Sequence, residues 1–352
     1  MESVPPSEIN THIGHLFRHH AGQMAGVLCR IFGVGNIDLI DDSIQDAMVT
    51  ALKRWPFTGT PANPTAWLTQ VAKNRVIDRL RRDRACESLV DSGYEIPAEA
   101  ERDPYFAHEI SEDQLRMIFA CCHPSIPPDS QVALTLKIVG GFSVSEIARA
   151  YLSTTEAVAK LLTRARAKLR SGGVPLEIPS RAQLAESLSS VLRVLYLMFN
   201  EGYSPTGGDE AIRKDLCLEA MRLTGHLSVH EVTRSPRVHA LAALFCFQAA
   251  RFPARIRDGG EILLLADQDR RLWDRGMIDR GLKHLANSAD GDEVSNYHLE
   301  AEIASLHSAA GSFADTDWPR ILECYNHLQS RKYSPVVELN RIVAIGLIGG
   351  PR

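Results

Sequence analysis

Two stretches of the chain concentrate cationic side chains at helical spacing. Thr65 to Arg84 carries Lys73, Arg75, Arg79, Arg81, Arg82 and Arg84 against Asp78 and Asp83. Ser143 to Arg170 carries Arg149, Lys160, Arg164, Arg166, Lys168 and Arg170 against Glu146 and Glu156. Rows of guanidinium and ammonium groups suit a phosphate backbone, because each neutralised phosphate releases condensed counterions. One such helix alone is most often a solvated face. Two of them, separated by acidic sequence, point to two contacts on one nucleic acid. Residues that would carry catalysis are missing: there is no P-loop, no G-x-S-x-G and no H-E-x-x-H. "GYSPTGGDE" has adjacent glycines but no lysine to hold a phosphate. Cys121-Cys122-His123 lacks the spaced pairs of a zinc site. His12, His15, His19 and His20 fall near one helical face, a set more ordinary as surface or core than as metal ligands. Neither an enzyme nor a cofactor or metal is expected.

The whole-chain balance narrows the class further. The formal net charge is -4 over 352 residues, so the positive charge is local, and local charge marks a binding face. Hydrophobic residues at 45% and aromatics at 7% fit packed cores and argue against disorder. No apolar run is long enough to span a bilayer, and "MESVPPSEINTHIGHLFRHH" has no signal-peptide core, so no membrane partner is expected. Seven irregularly spaced cysteines read as a reduced, cytoplasmic protein.

The elements that must position the basic rows are helices, and the expected fold class is all-α. Ile40, Ile44, Ala47, Met48, Ala51, Leu52 and Trp55 repeat at helical spacing. Pro56 and "FTGTPANP" then break the pattern. The next helix opens near Pro64, with Leu68, Val71, Ala72, Val76 and Leu80 as its apolar face and a basic face opposite. Residues 85–113 read as an acidic linker: nine acids face the single Arg102, and Pro97 and Pro104 interrupt any long helix. A second helical block spans 114–171. In it Ser143-x-x-Glu146 and Ser153-x-x-Glu156 read as capping boxes around a tight turn. Two short helices with a basic second member make a helix-turn-helix, with Ile147, Ala148, Tyr151, Val158, Leu162, Ala165 and Leu169 as its core. After "SGGVPLEIPS", residues 181–352 read as serial helical hairpins, an α-solenoid or tetratricopeptide-like array without a visible 34-residue period. The last apolar helix, before "IGGPR", would leave one face open, so further helices are expected beyond it.

The order of these motifs resembles the bacterial sigma-70 family of RNA polymerase sigma factors, extracytoplasmic-function subfamily. The motifs that carry the likeness are "IDDSIQDAMVTALKRW", "AWLTQVAKNRVIDRLRR", the acidic linker and "GFSVSEIARAYLSTTEAVAKLLTRARAKL". The resemblance implies that residues 1–84 form region 2. There Asp42, Gln45 and Asp46 would dock on the clamp helices of core RNA polymerase. Asn63, Trp67, Lys73, Asn74, Arg75, Asp78, Arg79 and Arg82 would melt and read the -10 element. It implies that residues 114–171 form region 4, with Thr154, Thr155, Lys160, Thr163, Arg164 and Arg166 reading the -35 element. Ala159 and Leu161 stand where the subfamily often carries further basic residues. "DQLRMIFACCHPSIP", "LYLMFNEGY", "ADQDRRLWDR", "DTDW" and "SPVVELNRIVAI" resemble the group with a tetratricopeptide-like C-terminal extension.

Physical reasoning agrees with those roles. A recognition helix presents its N-terminal residues to base edges while flanking cations hold phosphates. Thr154 and Thr155 sit at such a terminus, where amides also favour a phosphate. Strand opening needs a pocket and a platform for an unstacked base, which "TGTPANPTAW" offers with Asn63 and Trp67. The acidic linker suits a cationic RNA channel. The expected partners are core RNA polymerase, double-stranded promoter DNA, the melted -10 strand and a regulatory protein at residues 181–352. The apolar segments "LYLMFNEGY" and "ALAALFCFQAARF" are expected to pack that block on the sigma domains. The alternative is a stand-alone helix-turn-helix regulator with a helical sensor domain, which would not need a docking helix, a melting loop and an acidic linker.

Overall fold

The computed structural model describes residues 20–87, 107–151, 153–171, 174–204, 212–257, 261–331 and 333–349. These divide into two compact units, Met1–Val194 and Leu195–Arg352. No β-strand occurs among the described residues, and the one isolated bridge joins Ile256 and Ile262. The expected all-α class holds.

The first unit opens with α1, residues 20–32, and a 3-10 turn at Val34–Asn36. Then come α2 (Ile37–Thr58) and α3 (Pro64–Glu87), which pack on each other. In α2 the expected Ile40, Ile44, Ala47, Met48, Ala51 and Trp55 are buried, joined by Ile37, while Leu52 of the expected repeat is exposed. Pro56 lies in the last turn, and Gly59 at φ 78 ends the helix with its amide on the Trp55 carbonyl. Asn63 starts α3: its Oδ1 accepts the Ala66 amide at 3.0 Å, just ahead of Pro64.

The acidic linker ends earlier than expected. Residues 88–106 lie outside the described residues, and α4 begins at Ala107 rather than near Gln114. Asp113 is therefore a helical residue. It is buried and bonded at 2.8 Å by both Arg30 and Arg116. Helices α5 (Pro128–Ile138), α6 (Val144–Ala150) and α7 (Thr155–Arg170) complete the block. The Ser143–Glu146 capping box is present in both directions. The second box is not at Ser153. Thr154 caps α7, accepting the Ala157 amide at 3.2 Å, while the Ser153 amide bonds back to Ala148.

Glycines bring α1 and α4 into close contact. A Cβ at Gly26 would stand 2.6 Å from the Asp113 carbonyl oxygen, and one at Gly22 would stand 2.4 Å from that of Val139. Both residues are four apart on α1, so one bare face of that helix meets main chain from the later block.

In the second unit, which begins within α8 (Arg181–Tyr203), the helices stack in sequence. They are α9 (Lys214–Val229), α10 (Pro236–Ala249), the short α11 (Phe252–Arg255), α12 (Arg275–Ser288), α13 (Asn296–Ala309), α14 (Trp318–Arg331) and α15 (Pro335–Gly349). Helix α10 packs on α9, α12 and α13, and α13–α14 and α14–α15 continue the array. "LYLMFNEGY" and "ALAALFCFQAARF" meet each other within this unit. Phe199 stacks on Phe245 at 4.1 Å and 9°, so the two segments bury each other.

Gly26→Ala and Gly225→Ala should move stability in opposite directions. The first forces a methyl into the Asp113 carbonyl and should destabilise by about 1–3 kcal/mol. The second sits in α9 with nothing within 4 Å and should stabilise by about 0.5–1 kcal/mol. Thermal unfolding followed by circular dichroism reads both, and a neutral Gly26→Ala would show that α1 does not need the close approach.

Candidate nucleic-acid interface

The outer face of α7 is built on a fully buried apolar stripe. Val158, Leu162, Ala165 and Leu169 are buried against α5 and α6, together with Ile147 and Ala148, and Tyr151 is half-buried. That stripe turns Thr154, Thr155, Lys160, Thr163 and Arg164 outward, and all of these are exposed. Thr163 donates its hydroxyl to the Ala159 carbonyl at 2.8 Å, which leaves its methyl and remaining lone pair facing out. Glu156 shares the exposed first turn, its carboxyl held below the usual range by its own amide and the Thr154 and Thr155 hydroxyls.

Arg166 behaves differently from the rest of the predicted -35 set. Its side chain is 18% exposed and bonds Asp38 at 3.0 Å and Asp41 at 2.6 Å, both on the first turns of α2. Arg170, one turn on, bonds Asp38 at 2.5 Å, and Lys137 of α5 lies 3.6 Å from Asp41. Asp41 and Lys137 are each 10% exposed. Three cations from the later block thus meet two carboxylates of the earlier one. In this arrangement Arg166 is not a free DNA contact. Sequence reading missed Asp38, Asp41 and Lys137, because partners so far apart in the chain leave no local signal.

The α2–α3 surface carries a second charge cluster. Arg79 bonds Asp42 at 3.4 Å and Asp46 at 3.2 Å, and Arg75 reaches Asp46 at 3.4 Å and Thr50 at 3.0 Å. The expected polymerase-docking acids and two expected -10 cations therefore neutralise each other across the helix pair. These side chains remain 36–61% exposed, so each pair is weak and exchangeable. Gln45, Asn74, Asp78 and Arg82 are exposed; Arg82 donates to the Asp78 carbonyl at 3.2 Å, and Asn74 accepts from Gln70 at 3.0 Å.

Three expected -10 residues have structural work to do. Lys73 is 4% exposed and does not lie on the outer basic face, which corrects its sequence assignment. It falls four residues after Thr69 and three before Val76, both buried, so the helical period places it on the packed side. Trp67 is half-buried, its ring 5.5 Å from that of the buried Trp55. Asn63 spends its side-chain oxygen on the α3 cap and keeps its amide group exposed.

No metal-holding cluster of histidine, cysteine or carboxylate occurs among the described residues. His12, His15 and His19 lie outside them, and His20 bonds Gln23 at 2.7 Å. Cys121 and Cys122 are buried; burial pushes the Cys122 thiol up to about 12, the opposite of what a thiolate ligand needs. No helix among the described residues is long and apolar enough to cross a membrane.

The two charge clusters should respond differently to substitution. Asp41→Asn strips a carboxylate from Arg166 and Lys137 at a site 10% exposed, and should destabilise on the order of 3 kcal/mol. Asp42→Asn breaks only an exposed pair and should change stability by less than about 1 kcal/mol. Urea unfolding of both variants checks this, and equal effects would remove the distinction between them.

Comparison with known proteins agrees with this geometry. Residues 16–86 match Sigma-70 region 2, and residues 116–169 match Sigma-70, region 4. Residues 187–289 match a family of unknown function, DUF6596. An uncharacterized protein of Rhizobium meliloti (strain 1021) is 39% identical over 334 residues, which is 94% of this chain and 78% of that protein. No solved structure matches the chain. Proteins with these two regions act in transcription initiation as regulators rather than catalysts. The chain belongs to the sigma-70 family, with regions 2 and 4 placed ahead of a C-terminal extension.

Proposed function

We propose that this is a cytoplasmic sigma factor of the extracytoplasmic-function type. It binds core RNA polymerase and directs initiation at promoters read at both -35 and -10. The observation that carries the reading is the α7 face: Thr154, Thr155, Lys160, Thr163 and Arg164 exposed over a buried helix-turn-helix core, within a region 4 match. Exposed Asp42 and Gln45 and half-buried Asp46 on α2 meet polymerase. Exposed Asn74 and Arg82, half-buried Arg75 and Arg79, Asp78, and the Asn63–Trp67 corner meet the -10 strand. Residues 181–352 form a tetratricopeptide-like platform that takes a regulatory partner and modulates activity.

The ion pairs of Arg166 and Arg170 with Asp38 and Asp41 support a closed resting form in which part of the -35 surface is engaged internally. Core polymerase and promoter phosphates then compete for the same cations. Phosphate contacts of this kind weaken with salt, as counterion release requires.

The direct test is reconstituted transcription on a genomic template library with core polymerase, with and without this protein, followed by mapping of RNA 5′ ends. New ends that depend on the protein are expected; their absence sinks the reading. On a promoter so found, Arg164→Ala or Lys160→Ala should weaken binding by about 1–3 kcal/mol where the contact is bidentate to a base. Asp38→Asn combined with Asp41→Asn should raise the affinity of the isolated protein for duplex DNA, measured by fluorescence anisotropy at low salt. Unchanged affinity would mean that the closed form does not withhold Arg166 and Arg170.

A further inference from the structure

The C-terminal unit contains a cavity of about 310 Å³ that none of the roles above uses. Its walls come from α8, α10, α13, α14 and α15, and its apolar lining includes Phe247, Ile303, Leu328 and Val337. The volume is that of a small-molecule site. Its polar groups are sorted by charge toward two different places on α13.

One end is cationic, with no carboxylate paired to Arg251 among the described residues. Arg251 lines the cavity and donates only to neutral oxygens, Gln268 Oε1 at 3.1 Å and Gln248 Oε1 at 3.3 Å. No carboxylate pairs with it among the described residues. Two further guanidiniums crowd the same aromatic rings. Arg255 lies 3.4 Å over Tyr203 and Arg270 lies 4.9 Å over Trp273, while Arg251 stands 6.0 and 5.7 Å from those rings. Burial holds Arg251, Arg255 and Arg270 below the ordinary guanidinium range, and the nearby charge of Arg251 adds to the effect on Arg255 and Arg270. His307, also in the lining, has a buried Nδ1 with no hydrogen-bond partner among the described residues. Burial with Arg251 and Arg270 lowers its imidazole to about 4, so it is neutral. A desolvated guanidinium without an anion is costly to keep.

The other end is acidic and aromatic. Glu300 accepts the Tyr196 hydroxyl at 2.9 Å, and Tyr325 lines the same wall. Tyr297 stands 5.6 Å from the Tyr196 ring. Burial raises the Glu300 carboxyl to about 7. Aromatic faces around a carboxylate suit an ammonium, by ion pairing and by cation–π attraction together. Glu300 and His307 are two turns apart on α13, a rise of about 10 Å. That separation is longer than the charge spacing of a simple α-amino acid.

We propose that this cavity binds a small zwitterion of the ω-amino acid class: its carboxylate on Arg251, its aliphatic body along Phe247, Ile303 and Leu328, and its amine at Glu300 and the tyrosines. The site would make the extension a ligand-responsive module, independent of whether the first unit is a sigma factor.

The test is isothermal titration and thermal shift on the full chain with four probes: 6-aminohexanoate, L-lysine, hexanoate and hexylamine. 6-Aminohexanoate or L-lysine should bind saturably and at least tenfold more tightly than either monofunctional probe. Arg251→Gln and Glu300→Gln should each weaken that binding at least tenfold, and Arg251→Lys should restore part of it. Absence of binding by both zwitterions overturns the proposal, as does hexanoate or hexylamine binding equally well. If Arg251→Gln does not fold by circular dichroism, Glu300→Gln and the wild-type probe comparison decide. Failure here leaves transcription with core polymerase untouched, so the two readings fail separately.

Discussion

The first unit depends on one constraint: Asp41 must have cations beside it. It stands on the second turn of α2, 10% exposed, with Arg166 at 2.6 Å and Lys137 at 3.6 Å. A carboxylate in that setting, left without partners, would be strongly unfavourable, whereas the same ion on an open surface would contribute little. The cluster therefore specifies which face of the later helices meets α2. It acts with the bare face of α1, where Gly22 and Gly26 admit the main chain of Val139 and Asp113. Charge sets the register, and the missing Cβ atoms set the distance.

The same reasoning separates cations that can be released from those that cannot. Arg75 and Arg79 sit in exposed pairs with Asp42 and Asp46, whose interactions are worth little in high dielectric and are screened by salt. Trading those partners for phosphates or for another protein's charges costs little. Arg166 and Lys137 are held more tightly, so a phosphate must offset a larger loss before either is freed. Lys160, Arg164 and Lys168, exposed on α7, make no ion pair among the described residues and need no such exchange. The cations of α7 are therefore graded, some exposed and unpaired among the described residues and some engaged by α2.

Much of this was legible in the sequence, and the failures are physical. The stripe Val158, Leu162, Ala165, Leu169 is a strict helical period, and each member is buried. The cap of α7 was misread by one residue because Ser153 and Thr154 are both good caps. The pattern of a glutamate three residues later favoured the first, while the backbone gave the role to the second. Lys73 was misread because charges were summed over the segment instead of being placed around the helix. The start of α4 was missed because acidic composition was taken for a linker, yet Asp113 is acidic in order to meet Arg30 and Arg116. Contacts such as Arg166 with Asp38 cross 128 residues and have no trace in local periodicity.

Two arginines of the second unit make the last point by contrast. Arg270 is 8% exposed and bonds the His307 and Ala310 carbonyls and the Thr316 hydroxyl. Those carbonyls follow the end of α13 or belong to its last turn, where helix acceptors lack internal partners and favour a cation. Its burial is explained within the fold. Arg251 is half-buried beside a cavity; it donates to two glutamine oxygens and stands 6.0 and 5.7 Å from the Tyr203 and Trp273 rings. The rings and glutamine oxygens hold that guanidinium in place, but no carboxylate among the described residues neutralises it. A guanidinium held by neutral groups at the edge of a space that a small molecule fits is placed to take an anion that comes and goes.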